Sequence, residues 1–380
     1  MNAKERVRRA LTRRGLPDRV PIQFDLSRQL LEAFSVRYGI PLHYSPSYYE
    51  DLKYRISAND LRTAMGSDCV IVGGGVAAGR DVSPDARGEM VNEFGMRMRQ
   101  GPLYMEVIES PLRDATTVAD VERYNFPDPH DPTRYIQADA DIARYRDDYF
   151  IIGDCELTMF ELSWHLVGME KYMVDLGMQE PYIECLLEKA YFWSLGIASE
   201  LARRGVDAIW FGDDFGSQTG LLLSPAMWRR VFKPLYAALF AAIKRIRPEI
   251  VIIMHSDGAV APLLPDLIEI GLEVFNPVQP NVPGHDPREL KARFGDRLAF
   301  FGAIDQQELL PRGSLDAIRE DVREKIAILG AGGGYMVAPA HIIQADTSPE
   351  RVEVFIVAAK EFGRAGIVAE AVRKTRKEWT

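Results

Sequence analysis

Short apolar runs, each followed by a stretch with helical periodicity, recur along the chain. The runs are VPIQF, CVIVG, YFIIG, AIWFG, IVIIM, LEVFN, LAFFG and YMVAP, near residues 20, 69, 149, 208, 250, 272, 298 and 335. This alternation predicts parallel strands joined by helical crossovers. The runs are almost wholly apolar, as expected when helices cover one face of a strand and a closed interior covers the other. Eight such strands predict an α/β fold, a (β/α)8 TIM barrel.

The barrel has one competitor, an open doubly wound sheet, whose strands would show similar apolar runs. Three glycines, Gly73–Gly75, follow the second run, but the residues around them lack the spacing of a dinucleotide-binding loop. We therefore predict a closed barrel without a nucleotide cofactor. The chain is expected to form a single domain over residues 1–380. Its basic start, MNAKERVRRALTRRG, is predicted to add an amphipathic surface helix as an N-terminal extension.

An insertion of about seventy residues, about 76–147, separates the second and third predicted strands and is far longer than an ordinary crossover. Within it, MVNEFGMRMRQ and PLYMEVIE alternate polar and apolar residues on either side of a Gln-Gly turn. This pattern predicts a β-hairpin over the mouth of the barrel. A lid or substrate-specificity element and a dimer contact are both open interpretations of it.

The composition is that of a globular protein with a large core, with 47% hydrophobic and 27% charged residues. The net charge of -9 argues against nucleic acid as the main partner, because phosphate binding needs an excess of basic residues. No apolar run reaches the length of a membrane span. Three cysteines, Cys69, Cys155 and Cys185, are too few and too odd in number for a disulfide framework. The expected location is the cytoplasm.

Nearly every predicted strand ends in a polar residue that is able to do chemistry. In a barrel of parallel strands, the carboxyl-terminal strand ends and the loops after them line one cavity. The residues at those ends are, in chain order, Asp25, Asp154, Glu156, Asp213, Asp214, His255, Asp257, Asn276, Gln279, Asp305 and His341. With the strands as predicted, these side chains share a pocket.

Several of these acids also have a plainer structural interpretation. A carboxylate just after a strand often caps the next helix, and this alternative stays open for Asp25, Asp154 and Asp305. The adjacent acids Asp213 and Asp214 lie among glycines in WFGDDFGSQTG, where the backbone permits close approach. Two like charges repel unless a cation or a proton donor is near. We therefore predict a functional role for at least one of this pair.

His255, Asp257 and His341 form the most informative set. His255 ends an apolar strand, Asp257 follows two residues later, and His341 follows the last strand in YMVAPAHIIQADTSPE. Imidazole nitrogen and carboxylate oxygen are common ligands of zinc and related divalent ions. General acid–base catalysis by the same groups without a metal is the alternative. The remaining histidines are interpreted as structural or surface residues: His43, His130, His165 and His285.

Six segments carry a family resemblance. They are LLLSPAMWRRVFKPLY, HSDGAVAPLLPDLIEIGLEVFNPVQP, LKARFGDRLAFFGAIDQQELL and GGGYMVAPAHIIQADTSPERV and, with a looser fit, RVPIQFD and GDCELTMFELSWHLVGME. These segments resemble the uroporphyrinogen decarboxylase superfamily, most closely over the carboxyl-terminal half. The superfamily fold is a (β/α)8 barrel, in agreement with the strand count. The resemblance implies one of two chemistries, which require different residues.

Uroporphyrinogen decarboxylases bind an acidic tetrapyrrole through an early motif of the form R-Q-A-G-R and use an Asp at the end of the second strand. This chain has only Arg28 in the corresponding region, and Gly73–Gly75 where the acid would stand. The family Tyr after the third strand is replaced, near Phe160 and Glu161. His341 falls where the decarboxylases carry a His. Because a polyanionic substrate would lack its cationic clamp, decarboxylation is the less favoured chemistry.

Zinc-dependent methyltransferases of the superfamily move methyl groups between a small substrate or coenzyme M and a corrinoid-carrying protein. They bind zinc with a His-x-Cys pair after the fifth strand and a Cys after the eighth. His255 matches the first ligand, whereas Asp257 and His341 stand in place of the two cysteines. The resemblance therefore implies a metal site with harder ligands, suited to an oxygen-bearing substrate rather than a thiol.

The prediction is a metal-dependent methyltransferase that acts on a small oxygenated or methylated metabolite, with a corrinoid protein as methyl acceptor. The predicted catalytic residues are Asp214, His255 and His341, and the ligands of the divalent metal, most simply zinc, are His255, Asp257 and His341. The predicted substrate contacts are Asp25, Glu161, Asp213, Asn276, Gln279 and Asp305. A decarboxylase or lyase in tetrapyrrole metabolism and a catalytically silent small-molecule binding protein are the alternatives. Family habit implies a homodimer.

Overall fold

The structure of the chain, a computed structural model, describes residues 1–101 and 105–368. Its strands are β1 Cys69–Gly73, β2 Glu89–Val91, β3 Arg97–Gln100, β4 Met105–Glu109, β5 Phe150–Glu156, β6 Ala208–Gly212, β7 Val251–His255, β8 Val274–Val278, β9 Ala299–Ile304 and β10 Tyr335–Pro339. Its α-helices are α1 Ala3–Thr12, α2 Arg28–Tyr38, α3 Glu50–Ser57, α4 Asn59–Met65, α5 Val118–Arg123, α6 Ile136–Tyr145, α7 Phe160–Val167, α8 Met169–Met178, α9 Pro181–Arg204, α10 Pro225–Ile246, α11 Leu264–Glu269, α12 Pro287–Phe294, α13 Leu309–Arg312, α14 Leu315–Leu329 and α15 Pro349–Phe362. Two short 3-10 turns cover Pro132–Tyr135 and Ala261–Leu263.

Seven of the eight predicted strands form one curled parallel sheet. Its strand order is β1-β5-β6-β7-β8-β9-β10, and each strand pairs in parallel with its neighbour in that order. All five residues of β1, β6, β7 and β10 are buried, which explains why these runs are apolar throughout. The TIM-barrel-like fold predicted from the sequence is confirmed.

The first predicted strand, residues 20–24, is an irregular extended segment. It pairs with β10 through an isolated parallel bridge between Ile22 and Val337. On the other side, the backbone N–H of Ile22 donates to the carboxylate of Asp68 at 2.8 Å, where a neighbouring strand would offer a carbonyl. Pro21 lacks an N–H altogether. A side chain and a proline thus replace part of the hydrogen-bond ladder at the place where the barrel closes.

Helix α1 covers the amino-terminal end of the barrel with its apolar face. Its residues Val7 and Leu11 are buried and pack in one cluster with interior strand residues such as Ile152. Lys4 and Arg8 pair with the buried carboxylate of Asp207, just before β6, and the Arg8 contact measures 2.5 Å. The prediction of an amphipathic helix with one face at the surface is therefore confirmed: its polar side chains Glu5 and Arg9 are exposed, and its apolar face closes the amino-terminal end of the barrel.

The insertion after β1 contains a three-stranded antiparallel sheet in the order β2-β3-β4, and then the crossover helix α6. The pairing of β3 with β4 confirms the predicted hairpin, although residues 102–104 next to its Gln-Gly turn lie outside the described residues. Arg134 joins this sheet to the barrel: its guanidinium donates to Glu93 at 2.7 Å and to the carbonyl of Gly75 at 2.8 Å. The side chains of Arg134 and Glu93 are each only 1% exposed.

The crossover helices begin at the expected signals. Ser224 caps α10 and Ser314 caps α14, because each hydroxyl accepts a backbone N–H three residues later. Gly205 ends α9 in the left-handed conformation at φ +93°. Among the described helices, none combines the length and apolarity that a membrane crossing requires.

His285, in the loop after β8, is a buried histidine whose protonation should oppose folding. It is 0% exposed, and neither ring nitrogen has a hydrogen-bond partner in the described part of the chain. Burial lowers its pKa from 6.5 to about 4. Below pH 6.5 the unfolded chain binds a proton at this residue that the folded protein does not, so stability falls as the pH falls toward 4.

We expect His285→Leu to remove this loss of stability at acidic pH. Between pH 7.5 and 5.0 the free energy of unfolding should decrease by about 2 kcal/mol less in this variant than in the wild type, measured by urea denaturation. His130→Leu, which changes a histidine whose side chain is 57% exposed, is the control and should keep the wild-type loss. An equal acid-side loss in wild type and His285→Leu would contradict the prediction.

Candidate active site

The carboxyl-terminal ends of the central strands deliver their polar side chains to one rim. His255 is the last residue of β7 and lies in register with Gly212 of β6 and Asn276 of β8. Glu156, the last residue of β5, lies in register with the same Gly212. Because adjacent parallel strands end together, the imidazole, the amide and the carboxylate come within contact distance, as the sequence predicted.

His255, Asp257 and His341 form a compact set of nitrogen and oxygen donors. One candidate ligand atom from each residue lies within 4.8 Å of the others. The Nε2 of His255 is 3.7 Å from Asp257 Oδ1, and the Nε2 of His341 is 3.8 Å from Asp257 Oδ2. Asp257 Oδ1 is buried and accepts no hydrogen bond from the described residues. The donor set and this free oxygen fit a divalent cation such as zinc.

His255 is oriented by the strand next to it. Its Nδ1 lies 2.8 Å from Oδ1 of Asn276, which accepts the Nδ1–H, so Nε2 is the ring nitrogen that can bind a metal once it gives up its own proton. That nitrogen faces Asp257 and Asp214, each at 3.7 Å. A histidine ligand ordinarily donates its second ring N–H to an oxygen in this way. Asn276 therefore holds His255 ready to bind a metal through Nε2.

The loop that carries Asp257 is held by hydrogen bonds to the loops after β6 and β8. Its backbone N–H donates to Oδ1 of Asp214 at 2.7 Å, and the next N–H, of Gly258, donates to Oε1 of Gln279 at 2.6 Å. Gly258 has φ +81°, and a Cβ there would lie 2.4 Å from the carbonyl carbon of Gly216. The close approach of Gly216 and Gly258 explains why glycine stands at both positions.

A buried guanidinium lies beneath the histidines. Arg55, on α3, donates to Asp25 at 3.0 Å, to Asp154 at 2.8 Å and to Glu156 at 2.6 Å. The hydroxyl of Tyr49 adds hydrogen bonds to Asp154 at 2.8 Å and to Glu156 at 3.1 Å. The Arg55 side chain is 3% exposed, so it balances these acids without help from solvent.

Acidic groups dominate the electrostatics around His255. Burial by itself lowers the pKa of this imidazole, but the surrounding carboxylates, chiefly Glu156 and Asp257, outweigh burial and raise the pKa to about 9. Burial and the neighbouring Asp214 raise the pKa of Asp257 to about 6. Burial lowers the pKa of His341. The site thus concentrates negative charge around its imidazoles, an environment that stabilises an added cation.

Some predicted site residues have structural partners. Asp213 caps α7: its carboxylate accepts the backbone N–H groups of Met159, Phe160 and Glu161 at 2.8 to 2.9 Å and the hydroxyl of Tyr236. With both oxygens occupied and the residue 0% exposed, Asp213 is not placed to bind a substrate. Its predicted role as a substrate contact is corrected for this reason.

Asp305, also predicted as a substrate contact, accepts the backbone N–H groups of Gln307 and Leu309 at 2.8 and 3.1 Å. It therefore caps the turn that leads into α13, and the helix-capping alternative is the one that the structure favours here. Asp25 lies in the site, but both of its oxygens are engaged by arginines, Arg55 at 3.0 Å and Arg62 through a second hydrogen bond. Its role is to balance charge rather than to contact a substrate directly.

Arg55, the buried cation of the candidate site, was not predicted from the sequence. Arg28, the early arginine that the sequence offered, is 52% exposed and pairs only loosely with Glu32 at 3.8 Å. Arg55 fills the buried position instead, next to Ile56 on the inward face of α3. A charged residue beside buried apolar positions on a short helix was the available signal. Its partners Asp25, Asp154 and Glu156 lie 30, 99 and 101 residues away in the chain, so the pairing itself could not be read from the sequence.

Three comparisons relate the chain to known proteins. Residues 90–362 match the model of the uroporphyrinogen decarboxylase (URO-D) family. The chain is 28% identical to a uroporphyrinogen decarboxylase from Methylococcus capsulatus over 301 residues, which are 74% of this chain and 77% of that protein. A methyltransferase from Methanosarcina mazei superimposes with a TM-score of 0.66 at 21% identity, over 95% of this chain and 99% of the other. At that identity, the structural likeness shows the fold alone.

Removing the positive charge of Arg55 should strongly destabilise the protein. Arg55→Met leaves the buried Asp154 and Glu156 without their cation, while Asp25 keeps Arg62. We therefore expect the free energy of unfolding to fall by about 3–5 kcal/mol, measured by urea denaturation at pH 7.5. Arg28→Met is the matched control, because its ion pair is exposed, and it should change stability by about 0.5 kcal/mol or less. Equal stabilities of the two variants would show that the buried network does not act as described.

Proposed function

The chain belongs to the uroporphyrinogen decarboxylase (URO-D) family, and on that premise we propose that it is a metal-dependent methyltransferase. Its substrate is a small oxygenated or methylated metabolite, and its methyl acceptor is a corrinoid-carrying protein. The observation that carries the proposal is the set of His255, Asp257 and His341, whose donor atoms lie within 4.8 Å of one another. A cytoplasmic homodimer is part of the same proposal and rests on family resemblance alone.

His255, Asp257 and His341 would hold the metal, most simply zinc. A divalent ion held there supplies Lewis acidity, which polarises an oxygen atom of the substrate. The chain itself prepares this position in two ways. Asn276 orients His255, and the Asp214 carboxylate together with Gln279 fixes the loop that carries Asp257. The positions correspond to the ligand positions of the zinc methyltransferases that the sequence resembles, with oxygen and nitrogen in place of sulfur.

The ligand set favours an oxygen-bearing methyl donor. In the transfer, the bond between the methyl carbon and the substrate oxygen breaks, and the carbon forms a bond with the electron pair of the reduced cobalt of the acceptor. The substrate oxygen keeps the electrons of the broken bond and takes up a proton. The Glu161 carboxyl, at the amino-terminal end of α7, is suited to hold that proton at its oxygen, since burial and the nearby Asp214 raise its pKa well above the ordinary value.

Decarboxylation of a tetrapyrrole is the second candidate, favoured by the 28% identity to a uroporphyrinogen decarboxylase. The charges of the candidate active site argue against this reaction. The Arg55 guanidinium is already shared among Asp25, Asp154 and Glu156, so it has no charge left for the carboxylates of a polyanionic substrate. This candidate predicts turnover of uroporphyrinogen by protein from which metal has been removed.

Metal content tests the ligand set directly. We expect the purified protein to bind about one zinc per chain, and His255→Ala, Asp257→Ala and His341→Ala each to reduce metal affinity by at least about 10-fold, measured by competition with a chelating dye. His285→Ala, a buried histidine away from the set, is the control and should bind as the wild type does. Undiminished affinity in all three ligand variants would refute the site.

A cobalt-substituted protein gives a second readout of the ligands. Wild-type protein should lack the absorption band of a thiolate bound to cobalt, because none of the three residues carries sulfur. Asp257→Cys should acquire this band, because its thiolate replaces the Asp257 carboxylate beside His255 and His341. A control with cysteine at an exposed position of the insertion, Ser83→Cys, should not acquire it. Absence of the band in a folded, cobalt-loaded Asp257→Cys protein would place Asp257 outside the metal site.

Methyl transfer tests the reaction. Zinc-loaded protein should convert reduced free cobalamin to methylcobalamin in the presence of a methoxylated donor from a panel of small compounds, followed by visible absorption. His255→Ala should lower this rate by at least about 100-fold. Turnover of uroporphyrinogen without metal would favour the decarboxylase. Tight binding of a panel member without turnover of any kind would favour the catalytically silent binding protein.

A further inference from the structure

A small, partly open chamber borders the candidate metal ligands. Its lining includes Gln23, Trp210, Arg55, His255 and His341. Its volume is about 10 Å³. That is close to the least space that holds one water molecule, so the chamber has room for about one non-hydrogen atom of an entering group.

Two hydrogen-bond donors of this chamber lack an acceptor. The Nε2 amide group of Gln23 and the Nε1 indole group of Trp210 are buried and have no hydrogen-bond partner in the described part of the chain. Both residues are 2% exposed, so solvent does not satisfy them. A buried N–H without a partner costs roughly 1–3 kcal/mol. Two such donors on the walls of one chamber form a place built for an oxygen atom.

The donors are held firmly in place. Gln23 lies in the extended segment that pairs with β10, where its backbone N–H donates to the carbonyl of Val337 at 3.1 Å. The Trp210 ring lies in β6 between the Arg55 guanidinium, 4.5 Å from the ring centroid, and the ring of Phe301, at 5.2 Å. Both residues are 2% exposed, so little space is left for either side chain to turn toward another partner.

The charges around the chamber favour an uncharged acceptor. Arg55 is the cation in its wall, and its guanidinium is already hydrogen-bonded to Asp25, Asp154 and Glu156. An incoming carboxylate would add a fourth negative group beside these three acids, and the charge of a divalent ion at the ligand set is already countered by the neighbouring Asp257 and Asp214. A hydroxyl, ether or carbonyl oxygen takes the two N–H groups without that penalty.

We propose that this chamber is a substrate subsite that receives one uncharged acceptor oxygen, with Gln23 and Trp210 as the residues that select it. The substrate class is thus a small, neutral oxygen compound that reaches past the two histidines into the chamber. The inference deepens the proposed methyltransferase function and rests on it only for the identity of the reacting molecule. The binding of an oxygen by Gln23 and Trp210 stands or falls separately.

The test observes the indole N–H of Trp210 directly. Zinc-loaded protein with nitrogen-15 in its indoles is titrated with methanol, a neutral oxygen probe, and in parallel with formate, an anionic one. Trp210→Phe identifies the resonance. We expect methanol to shift the Trp210 signal in a saturable manner and formate at equal concentration to leave it in place. Trp228, whose Nε1 is also buried without a partner but which lies on α10, is the internal control and should not respond to either probe.

A second variant keeps the test decisive if Trp210→Phe does not fold. Gln23→Leu removes the other donor at similar volume and should weaken the methanol-induced shift of Trp210 by about 10-fold in affinity. A Trp210 signal that is unmoved by methanol, or that moves equally with formate, overturns the proposal. So does a crystal structure in which an ordered water stays in the chamber while methanol binds elsewhere.

The two proposals fail in different ways. If the subsite is correct and the methyltransferase function is wrong, methanol still shifts Trp210 although no methyl group is transferred. If the function is correct and the subsite is wrong, Trp210→Phe and Gln23→Leu transfer methyl groups with an unchanged KM. If both are correct, each variant raises KM for the donor by about 10-fold while zinc content stays at the wild-type level.

Discussion

The contact of Arg55 with three acids is the interaction on which the candidate active site depends. Asp154 and Glu156 come from β5 and Asp25 follows the first, irregular segment of the barrel, and the guanidinium reaches all three at 3.0 Å or less. Without it, the end of the barrel would collect carboxylates that burial strongly disfavours. This cation lets the protein keep Glu156 ionised at 3.5 Å from His255, where it acts on the imidazole.

The arrangement separates support from chemistry. Arg55, Tyr49 and Arg62 hydrogen-bond the buried acids of the site. Asn276 orients His255, and Gln279 holds the loop that carries Asp257. The donor atoms of His255, Asp257 and His341 are then left facing one another. Partners of this kind hold a ligand set in place before a metal arrives and so reduce the conformational cost of binding.

This chain has oxygen and nitrogen donors at positions where the zinc methyltransferases that it resembles have sulfur. Where the resembling methyltransferases use two thiolates, this chain has a carboxylate at Asp257 and an imidazole at His341. Such ligands leave a bound divalent ion more electron-poor than thiolates do, and thus a stronger Lewis acid toward oxygen. The single-atom chamber with the donors of Gln23 and Trp210 is consistent with the same preference, since it also accepts oxygen.

The sequence determined the strands and the rim. The apolar runs that become β1 and β5 to β10 are long enough and pure enough to identify a parallel barrel, and strand order alone places His255, Asp257 and His341 at its carboxyl end. Local patterns also predicted the hairpin of the insertion. These features depend on neighbours in the chain, which is why they could be recognised without a structure.

Only the tertiary structure decided which acids serve the site and which serve the fold. Asp213 and Asp214 are adjacent in the chain, yet one caps α7 while the other supports the Asp257 loop. Arg55 was missed because its partner Glu156 lies 101 positions away. Helix caps, buried ion pairs and unpaired donors depend on distances between segments that are remote in the chain, and such distances are set when the barrel closes.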